Sequence, residues 1–372
     1  MEQIAIYTVI MRGGTSKALF LKNEDLPADQ DERNRVILRM YGSPDSRQID
    51  GLGGAEPLTS KLAIIGSSTK KGADIDYTFG QVSIDQPFID FSGNCGNISS
   101  AVGPYAIDEG YVDAVEPITT VRIHNTNTGK VLVAEVPVKN GKAAVKGDYA
   151  IDGVPGTGAK ITLDFSDTAG SRTGNLLPTG REVDLINTRD FGKLEVSMVD
   201  AANPMVFVRA SDLGLTGRER PEEINDNEKI QQTLEEIRGK AAEVMGMVKS
   251  WKDARKANPA FPMIAFIASA GKDEKVDFHS RLMFMQVMHK TYAGTGTICT
   301  GAAARIRGSL VNQALLEGVN EESGLLKIGH PLGHIDIEVS AVYENDMPVL
   351  QKAAIYRTAR RLMEGKSFIP AY

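Results

Sequence analysis

The chain has 372 residues, of which 42% are hydrophobic and 24% are charged, and its formal net charge at pH 7 is −6. This length is about that of two α/β domains, and the composition is that of a globular protein. The acidic charge without a dense basic stretch excludes a nucleic-acid-binding protein, and no run approaches the ~20 apolar residues that span a bilayer.

The first half alternates short β-branched or aromatic runs with turns, which predicts strands. Apolar residues then recur at helical spacing from Asn97 to Glu109, where Pro104 should bend or limit the helix. The predicted strands are Ile4–Met11, Lys17–Lys22, Leu62–Ile65, Ile75–Ile84, Phe88–Phe91, Thr119–His124 and Val131–Lys139.

Residues 166–182 are crowded with Gly, Ser, Thr and Pro, which indicates a domain junction. We predict an N-terminal domain of residues 1–178, completed by the tail 358–372, and a C-terminal domain of residues 179–357. A charged helix is predicted at Pro221–Trp251, and an apolar helix follows the Gly-rich turn at 293–297, with four-residue steps that continue to Ala314. The predicted strands are Lys193–Val199, Met205–Arg209, Met263–Ala268, His279–Met288, Ile335–Val342 and Leu350–Arg357.

Each half therefore contains strands, a Gly-rich turn and one helix that is apolar on most of its sides. A helix of this kind belongs inside a fold rather than on its surface. We predict two similar α/β domains, each with a curled, mostly antiparallel sheet around a central apolar helix.

The segment 92–97, SGNCGN, ends where the first apolar helix begins. Unpaired N–H groups at a helix start carry partial positive charge, and Gly93 and Gly96 allow a ligand to approach the backbone. This arrangement predicts a carboxylate or phosphate site, and the same field favours the thiolate of Cys95. A lone cysteine is usually a small buried hydrophobe, but packing alone does not require the surrounding Gly and Asn residues. The predicted ligand contacts are Asn94, Gly96 and Asn97.

The segment 293–301, AGTGTICTG, offers a second set of donors in front of a helix. It is neither a P-loop nor a dinucleotide-binding fingerprint, and a simple tight turn is the alternative. Cys299 is either a second acid–base thiol or an inert buried cysteine. The predicted substrate contacts here are Gly294, Thr295, Gly296 and Thr297.

Further polar residues lie in turns. Lys61 follows the polar segment 50–60 and can exchange a proton if burial lowers its pKa, although a solvated surface lysine is the alternative. Ser16 and Asn203 offer a hydroxyl and an amide, although each is also ordinary turn chemistry. The five histidines show no metal-binding spacing, so no metal site is predicted. The two distant cysteines and an N-terminus without a basic, apolar leader predict free thiols and a cytoplasmic location.

Four stretches, in this order, resemble the PrpF family along essentially the whole chain. They are MRGGTSK, DGLGGAEPLTSK, DFSGNCGNISSAVGPYAIDEG and YAGTGTICTGAAARI. The family includes methylaconitate isomerases, methylitaconate Δ-isomerases and oxalomesaconate tautomerases. The resemblance implies the diaminopimelate-epimerase fold, with two pseudo-equivalent domains and an active site between them.

By this resemblance, Cys95 and Lys61 correspond to the family's catalytic cysteine and lysine. Ser16 corresponds to a serine that contacts the substrate, and Ser60 is predicted to contact it as well. The epimerases carry a CGTG run where this chain has ICTG, so Cys299 matches their second thiol only with a one-residue slip. Asn203 matches the Asn of their GNP motif.

The resulting prediction is a 1,3-proton shift on a small unsaturated di- or tricarboxylate, with Cys95 as base and Lys61 as acid or enolate stabiliser. Neither role requires a cofactor. The alternatives are a two-thiol amino-acid racemase, a non-catalytic accessory protein of a propionate- or aconitase-type pathway, and a simple anion-binding domain. The sequence does not choose among methylitaconate, methylaconitate and oxalomesaconate, and it leaves homo-oligomerisation open.

Overall fold

The computed structural model describes residues 2–320 and 324–371, and the chain divides into two compact units. Unit 1 contains the residues up to Leu163 and those from Arg357 onward, and unit 2 is Asp164–Tyr356. The first elements in chain order are β1 (Gln3–Gly13), β2 (Ser16–Lys22), α1 (Gln30–Tyr41), β3 (Lys61–Ser67), β4 (Ile75–Val82), β5 (Ile89–Asp90), α2 (Gly96–Asp108), β6 (Ile118–Asn125), β7 (Lys130–Lys139), β8 (Lys142–Ala143) and β9 (Ile161–Asp164). They are followed by β10 (Asp184–Thr188), β11 (Gly192–Ala201), β12 (Asn203–Arg209), α3 (Pro221–Asn225), α4 (Glu228–Val244), α5 (Ala254–Ala257), β13 (Met263–Ser269), β14 (Phe278–Phe284), β15 (Val287–Met288), α6 (Gly294–Ala304), α7 (Leu310–Gln313), β16 (Leu325–His330), β17 (Gly333–Glu344), β18 (Met347–Arg357) and β19 (Ala359–Pro370).

The sheet of unit 1 is mostly antiparallel and has two parallel pairs. β1 pairs with β19 on one side and with β2 on the other, and both pairs are antiparallel. β2 then runs parallel to β3 after the crossover through α1, and β4 runs parallel to β6 after the crossover through α2. The pairs β3–β4, β4–β5 and β6–β7 are antiparallel.

Unit 2 repeats this order. The pairs β11–β12, β13–β14, β14–β15 and β16–β17 are antiparallel, whereas β12–β13 and β14–β16 are parallel. Helices α3 to α5 take the place of α1, and α6 takes the place of α2. The prediction of two similar domains, each with a mostly antiparallel sheet, is therefore confirmed.

Helices α2 and α6 are the two central helices. Residues Gly96–Ile107 of α2 and all of α6 are buried, as expected for helices with little polar surface. Each contacts its sheet through a glycine: a Cβ on Gly103 would lie 2.7 Å from Val136 Cγ2, and one on Gly301 would lie 2.6 Å from Ile337 Cδ1. Pro104 lies inside α2, which continues to Asp108, so the proline does not end the helix.

The two units divide fifteen residues before the predicted boundary at residue 178, and residues from Arg357 onward belong to unit 1. The Gly- and Ser-rich segment 166–182 is bound to unit 2 by backbone hydrogen bonds, such as Ala202 N to Thr168 O at 3.0 Å, and by the carboxylate of Asp200. Asp200 accepts hydrogen bonds from Ser171 Oγ at 2.8 Å, from Arg172 N at 2.8 Å and from Thr173 N at 2.7 Å. The segment therefore belongs to unit 2, and the boundary between the units, after Leu163, lies directly before it.

Three predicted elements differ from the structure. The helix predicted at Pro221–Trp251 is interrupted after α3, because Asn227 caps a new helix by accepting a hydrogen bond from Ile230 N at 3.1 Å. The helix predicted to reach Ala314 ends at Ala304, and α7 follows separately. The strand predicted at His279–Met288 becomes β14 and β15, since Met285 and Gln286 turn the chain with positive φ angles of 49° and 60°. No helix among residues 2–320 and 324–371 combines the length and apolarity needed to cross a membrane.

Candidate active site

Ala18, Lys61 and Gln81 are in register on three adjacent strands of the unit 1 sheet. Ala18 of β2 lies beside Lys61 of β3, and Lys61 lies beside Gln81 of β4. Side chains in register on adjacent strands point to the same face, and Ser16, two residues before Ala18, shares that face. The strand pairing therefore brings Ser16, Lys61 and Gln81 together at one end of the sheet.

The Lys61 side chain is buried and held by polar and aromatic neighbours. Its Nζ donates a hydrogen bond to Gln81 Oε1 at 2.7 Å and lies 5.5 Å from the centroid of the Phe79 ring. Burial lowers the pKa of the Lys61 ammonium, and the negative charge of Cys95 opposes this shift. The hydroxyl of Tyr41 donates to the Lys61 carbonyl and anchors the start of β3. Lys61 is therefore a buried amine within electrostatic reach of Cys95.

Cys95 is the residue immediately before α2. Its backbone is extended, its carbonyl accepts a hydrogen bond from Ser99 N at 2.8 Å, and its side chain makes no capping bond. Its own N–H donates to Asn94 Oδ1 at 2.7 Å, which also accepts from Ser99 Oγ at 3.1 Å. The half-buried thiol, free of any disulfide, thus stands at the electropositive start of a helix whose first turn holds no acidic residue.

The first turn of α2 is also bound to the β1–β2 turn and to β18. Asn97 Nδ2 donates to Thr15 Oγ1 at 3.1 Å, and Arg357 Nε donates to Asn97 Oδ1 at 3.0 Å. A Cβ on Gly14 would lie 2.1 Å from Asn97 Oδ1, so this approach requires glycine. Ser16 is 2% exposed, and within the described part of the chain its hydroxyl has no hydrogen-bond partner. A buried hydroxyl without a partner is costly, so the Ser16 hydroxyl is available to bond a ligand or a water molecule.

The hydroxyl of Ser60 is directed into the preceding loop. It donates to Gln48 Oε1 at 2.8 Å, and the same oxygen accepts from Ala55 N at 2.7 Å. The predicted contact between Ser60 and a substrate stays a prediction.

The predicted unit 2 residues gather at the start of α6. Asn203 Nδ2 donates to Thr295 Oγ1 at 2.8 Å, and Thr297 Oγ1 donates to Ala293 O at 3.0 Å. A Cβ on Gly296 would lie 2.4 Å from Leu282 Cδ1, so helix packing explains this glycine. Gly294 begins the helix.

The two units have equivalent positions in their strands and central helices. Ala18 pairs with Lys61 two residues after Ser16, and Met205 pairs with Met263 two residues after Asn203. Asn203 is thus the counterpart of Ser16, and Met263 is the counterpart of Lys61. Cys95 precedes α2, whereas Ala293 precedes α6, and the packing glycines Gly103 and Gly301 each follow eight residues later.

Cys299 lies inside α6, six residues beyond Ala293. Its Sγ–H donates to the carbonyl of Val199 at 3.2 Å, its side chain is fully buried, and burial raises the pKa of its thiol. Of the two interpretations of Cys299, these contacts favour the inert buried cysteine.

Side chains of His, Cys, Asp and Glu form no group of three or more that could hold a metal ion within residues 2–320 and 324–371. Gln81, Gln48 and Arg357 were not among the predicted site residues. Gln81 alternates with Phe79 and Tyr77 on one face of β4, which is the only sequence signal for its position, and Arg357 is 260 residues from Asn97.

A family model described as "PrpF protein" matches residues 3–370. The chain is 56% identical over 379 residues to the 3-methylitaconate isomerase of Eubacterium barkeri, covering 99% of this chain and 98% of that protein. It is 39% identical over 391 residues to the 2-methyl-aconitate isomerase of Shewanella oneidensis, covering 99% and 98%. A crystal structure of a methylitaconate-delta-isomerase matches with a TM-score of 0.82 and 55% identity over 100% of this chain and 97% of that one. The predicted resemblance is confirmed, and the chain belongs to the PrpF family.

Proposed function

We propose that this isomerase shifts a proton across three carbons of a small unsaturated di- or tricarboxylate such as 3-methylitaconate, with Cys95 and Lys61 as the proton-transferring pair. The observation that carries the proposal is the placement of a buried amine within electrostatic reach of a thiol at a helix N-terminus. The identity to the Eubacterium barkeri enzyme supports the choice of substrate.

A substrate carboxylate binds at the start of α2. The N–H groups of Gly96 and Asn97 belong to the first turn, where a helix leaves backbone donors without intrahelical acceptors. The hydroxyl of Ser16 is buried on the face of the unit 1 sheet that carries Lys61, and it can donate a hydrogen bond to the substrate. In unit 2, Asn203, Thr295 and Thr297 place an amide and two hydroxyl groups at the start of α6, and we propose these groups as further ligand contacts of that unit.

The proton shift breaks one C–H bond and forms another. The Cys95 thiolate removes the proton from the carbon that is both allylic and adjacent to a carboxylate, and the electron pair spreads into a dienolate. The Lys61 ammonium then protonates the terminal methylene, so that the double bond moves inward and a methyl group forms. The cycle ends with a neutral amine and a protonated thiol, and a proton passing from Sγ to Nζ restores the starting pair. Acid–base steps of this kind contribute about 10²- to 10⁴-fold each.

A two-thiol racemase is the nearest alternative, and three observations disfavour it. Ala293 occupies the position of a second thiol, Met263 occupies the counterpart of Lys61, and Cys299 donates its S–H to a backbone carbonyl. A racemase needs an acid or base in each unit, whereas both groups of this type lie in unit 1.

The proposal includes a cytoplasmic location, which the free state of both thiols supports.

The test is proton NMR of the enzyme with 3-methylitaconate, 2-methylaconitate and oxalomesaconate in D₂O. We expect double-bond migration in at least one of them, with deuterium entering the newly formed methyl or methylene group. Absence of migration and exchange with all three substrates would contradict the proposal and favour an accessory or anion-binding protein. Deuterium entering the α-carbon of proline or another amino acid, with inversion, would favour a racemase.

A further inference from the structure

The side chain of Gln81 joins Lys61 to the loop that precedes it. Gln81 is buried on β4, and its Oε1 accepts the hydrogen bond of Lys61 Nζ at 2.7 Å. Its Nε2 donates to the carbonyl of Pro57 and to the carbonyl of Ser60, each at 3.1 Å. Both hydrogens of the amide therefore have backbone acceptors.

These acceptors fix the orientation of the amide. A flipped amide would turn its oxygen towards two carbonyl oxygens and its NH₂ group towards the lysine, which would leave several groups without complementary partners. Gln81 consequently presents an acceptor, and never a donor, to Lys61. The acceptor carries no charge, so it can bond the amine in both of its protonation states without fixing the ammonium as a carboxylate would.

The loop that holds Gln81 is itself held by a second buried glutamine. Gln48 accepts hydrogen bonds from Ser60 Oγ and Ala55 N, and its Nε2 donates to Ser43 Oγ at 3.0 Å. A Cβ on Gly53 would lie 2.2 Å from the Gln48 side chain, so the loop is closely packed around it. The Ser60 carbonyl that accepts the hydrogen bond of Gln81 Nε2 is therefore held in place.

We propose that Gln81 is a positioning residue that holds the Lys61 amine at the start of β3 through one uncharged acceptor and keeps it able to bind and release a proton. The inference rests on the proposed role of Lys61 in the isomerase reaction. It explains why a buried lysine has an amide partner on the neighbouring strand.

The titratable groups near Lys61, its partner Gln81 or the Cys95 thiol include two phenols, one thiol and the buried carboxyl of Asp90, which is in register with Gln81 on the neighbouring strand. Cys95 precedes α2, Tyr77 lies on β4, and Tyr41 of α1 donates its hydroxyl to the Lys61 carbonyl. Burial and the charge of Cys95 raise the pKa of Tyr77 well above its ordinary value, so Tyr77 stays neutral through the range in which Lys61 titrates. Changes at Gln81 therefore act on Lys61 with Cys95 and the carboxyl of Asp90 as the remaining titratable neighbours.

The experiment compares Gln81→Met with Gln48→Met. Both changes remove a buried amide from the same network, and only the first removes a contact to Lys61. The Lys61 Nζ signal, assigned by its loss in Lys61→Arg, is titrated by NMR in enzyme with ¹⁵N-labelled lysine. We expect the pKa of Lys61 to fall further in Gln81→Met, because the ammonium loses an uncharged acceptor, and to change less in Gln48→Met, which reaches Lys61 only through the Ser60 loop.

Turnover is the second readout. We expect kcat of Gln81→Met to fall by about tenfold or more, with KM little changed. The part of the kcat–pH profile that reports the ionisation of Lys61 should move to lower pH. Gln81→Glu retains an acceptor and adds a negative charge, so the Lys61 titration should move to higher pH at a cost in stability. A Lys61 titration in Gln81→Met that equals the wild-type titration would overturn the inference. Because the titration needs no substrate, it decides the role of Gln81 even if the wild-type enzyme fails to isomerise any tested carboxylate.

Discussion

Cys95 and Ala293 occupy the same position in the two units, the residue that immediately precedes the central helix. The strands around them pair in the same order, and the glycine that packs each helix on its sheet follows at the same distance. The fold is therefore repeated in the two units, whereas the thiol at the start of the central helix is present in unit 1 alone. A repeated fold with one thiol needs a different partner acid, and Lys61 lies in the unit that keeps the thiol.

The two cysteines should respond differently to replacement by serine. Cys95→Ser should lower kcat by about 10²-fold or more, since a hydroxyl at this position is a far weaker base than a thiolate. Cys299→Ser should keep most of the activity, because a hydroxyl can donate to the Val199 carbonyl as the thiol does. The measurement is the rate of deuterium incorporation with 3-methylitaconate, together with thermal melts to verify folding. Comparable losses in both variants would support the two-thiol scheme instead.

Lys61→Met places in unit 1 the residue that unit 2 has at the equivalent position. Activity should be lost, yet the melting temperature should rise, because burial disfavours the Lys61 ammonium. The pKa of Lys61 is lower in the folded state than in the unfolded state, so the folded state binds fewer protons between these two values. The stability gained by Lys61→Met should accordingly be largest at low pH and should shrink as the pH rises towards 10.5, the ordinary lysine value.

The exposed Lys366 provides the control for this change. Lys366→Met should leave the melting temperature nearly unchanged at each pH, because the lysine is solvated in both states. Melting temperatures of the two variants and the wild type are compared from pH 6 to pH 10. A loss of stability in Lys61→Met at low pH would show that the ammonium form is favoured by its surroundings and would contradict the assigned shift.

The repeated fold and the position of Cys95 at the start of a central helix were predictable because their signals are local. Helical spacing after Cys95, and the Gly and Asn residues around it, are visible within about ten residues. The position of the active site between the two units stays a prediction. Among the elements that were missed are α1 at Gln30–Tyr41 and β19 at Ala359–Pro370. The first carries overlooked helix signals, namely the Asp29 N-cap, buried apolar residues from Val36 to Tyr41 and Gly42 at its end, and the second pairs with β1 from the opposite end of the chain.

The partners of the site residues depend on contacts that sequence spacing does not encode. Gln81 meets Lys61 through the register of β3 with β4, and Arg357 meets Asn97 across most of the chain. Cys299 was a candidate acid–base residue because it is the second cysteine of the chain. The residue equivalent to Cys95 is instead Ala293, and an alanine does not indicate a functional position in a sequence. The equivalence of Cys95 and Ala293 lies in the strand pairings of the two units, not in the residue types.

The packing glycines of the central helices should not tolerate a side chain. Gly301→Ala would set a methyl group 2.6 Å from Ile337 Cδ1, and Gly103→Ala would set one 2.7 Å from Val136 Cγ2. We expect each change to cost about 1–3 kcal/mol, despite the better helix propensity of alanine. Gly365→Ala on β19, where the nearest atom is Met363 Sδ at 3.7 Å, is the matched control and should be close to neutral in thermal or urea unfolding. Similar melting temperatures for all three variants would mean that the helices can shift away from their sheets.

The carboxylate that follows α2 makes unit 1 sensitive to acid. Glu109 accepts a hydrogen bond from Arg361 Nη2 at 2.8 Å and lies 3.2 Å from Lys22 Nζ. Although burial alone would raise the pKa of Glu109, its hydrogen bonds to Arg361 and Lys22 lower it below the ordinary value of 4.5. A carboxylate with a lowered pKa stabilises the folded state above its unfolded-state pKa, and this contribution is lost as the pH falls through the folded-state value.

Glu109→Gln should therefore lower the melting temperature at pH 7, by about 2–4 °C for each kcal/mol lost. The difference from the wild type should disappear as the pH is lowered below 4.5 through the pKa of Glu109, because the wild-type side chain is then neutral as well. Glu364→Gln, which removes the more exposed partner of the same arginine, should have the smaller effect at pH 7. Melting curves at pH 7 and at pH 3 test both variants. A Glu109→Gln penalty of equal size at the two pH values would indicate that the amide disturbs packing, and that the ion pairs with Arg361 and Lys22 do not stabilise unit 1.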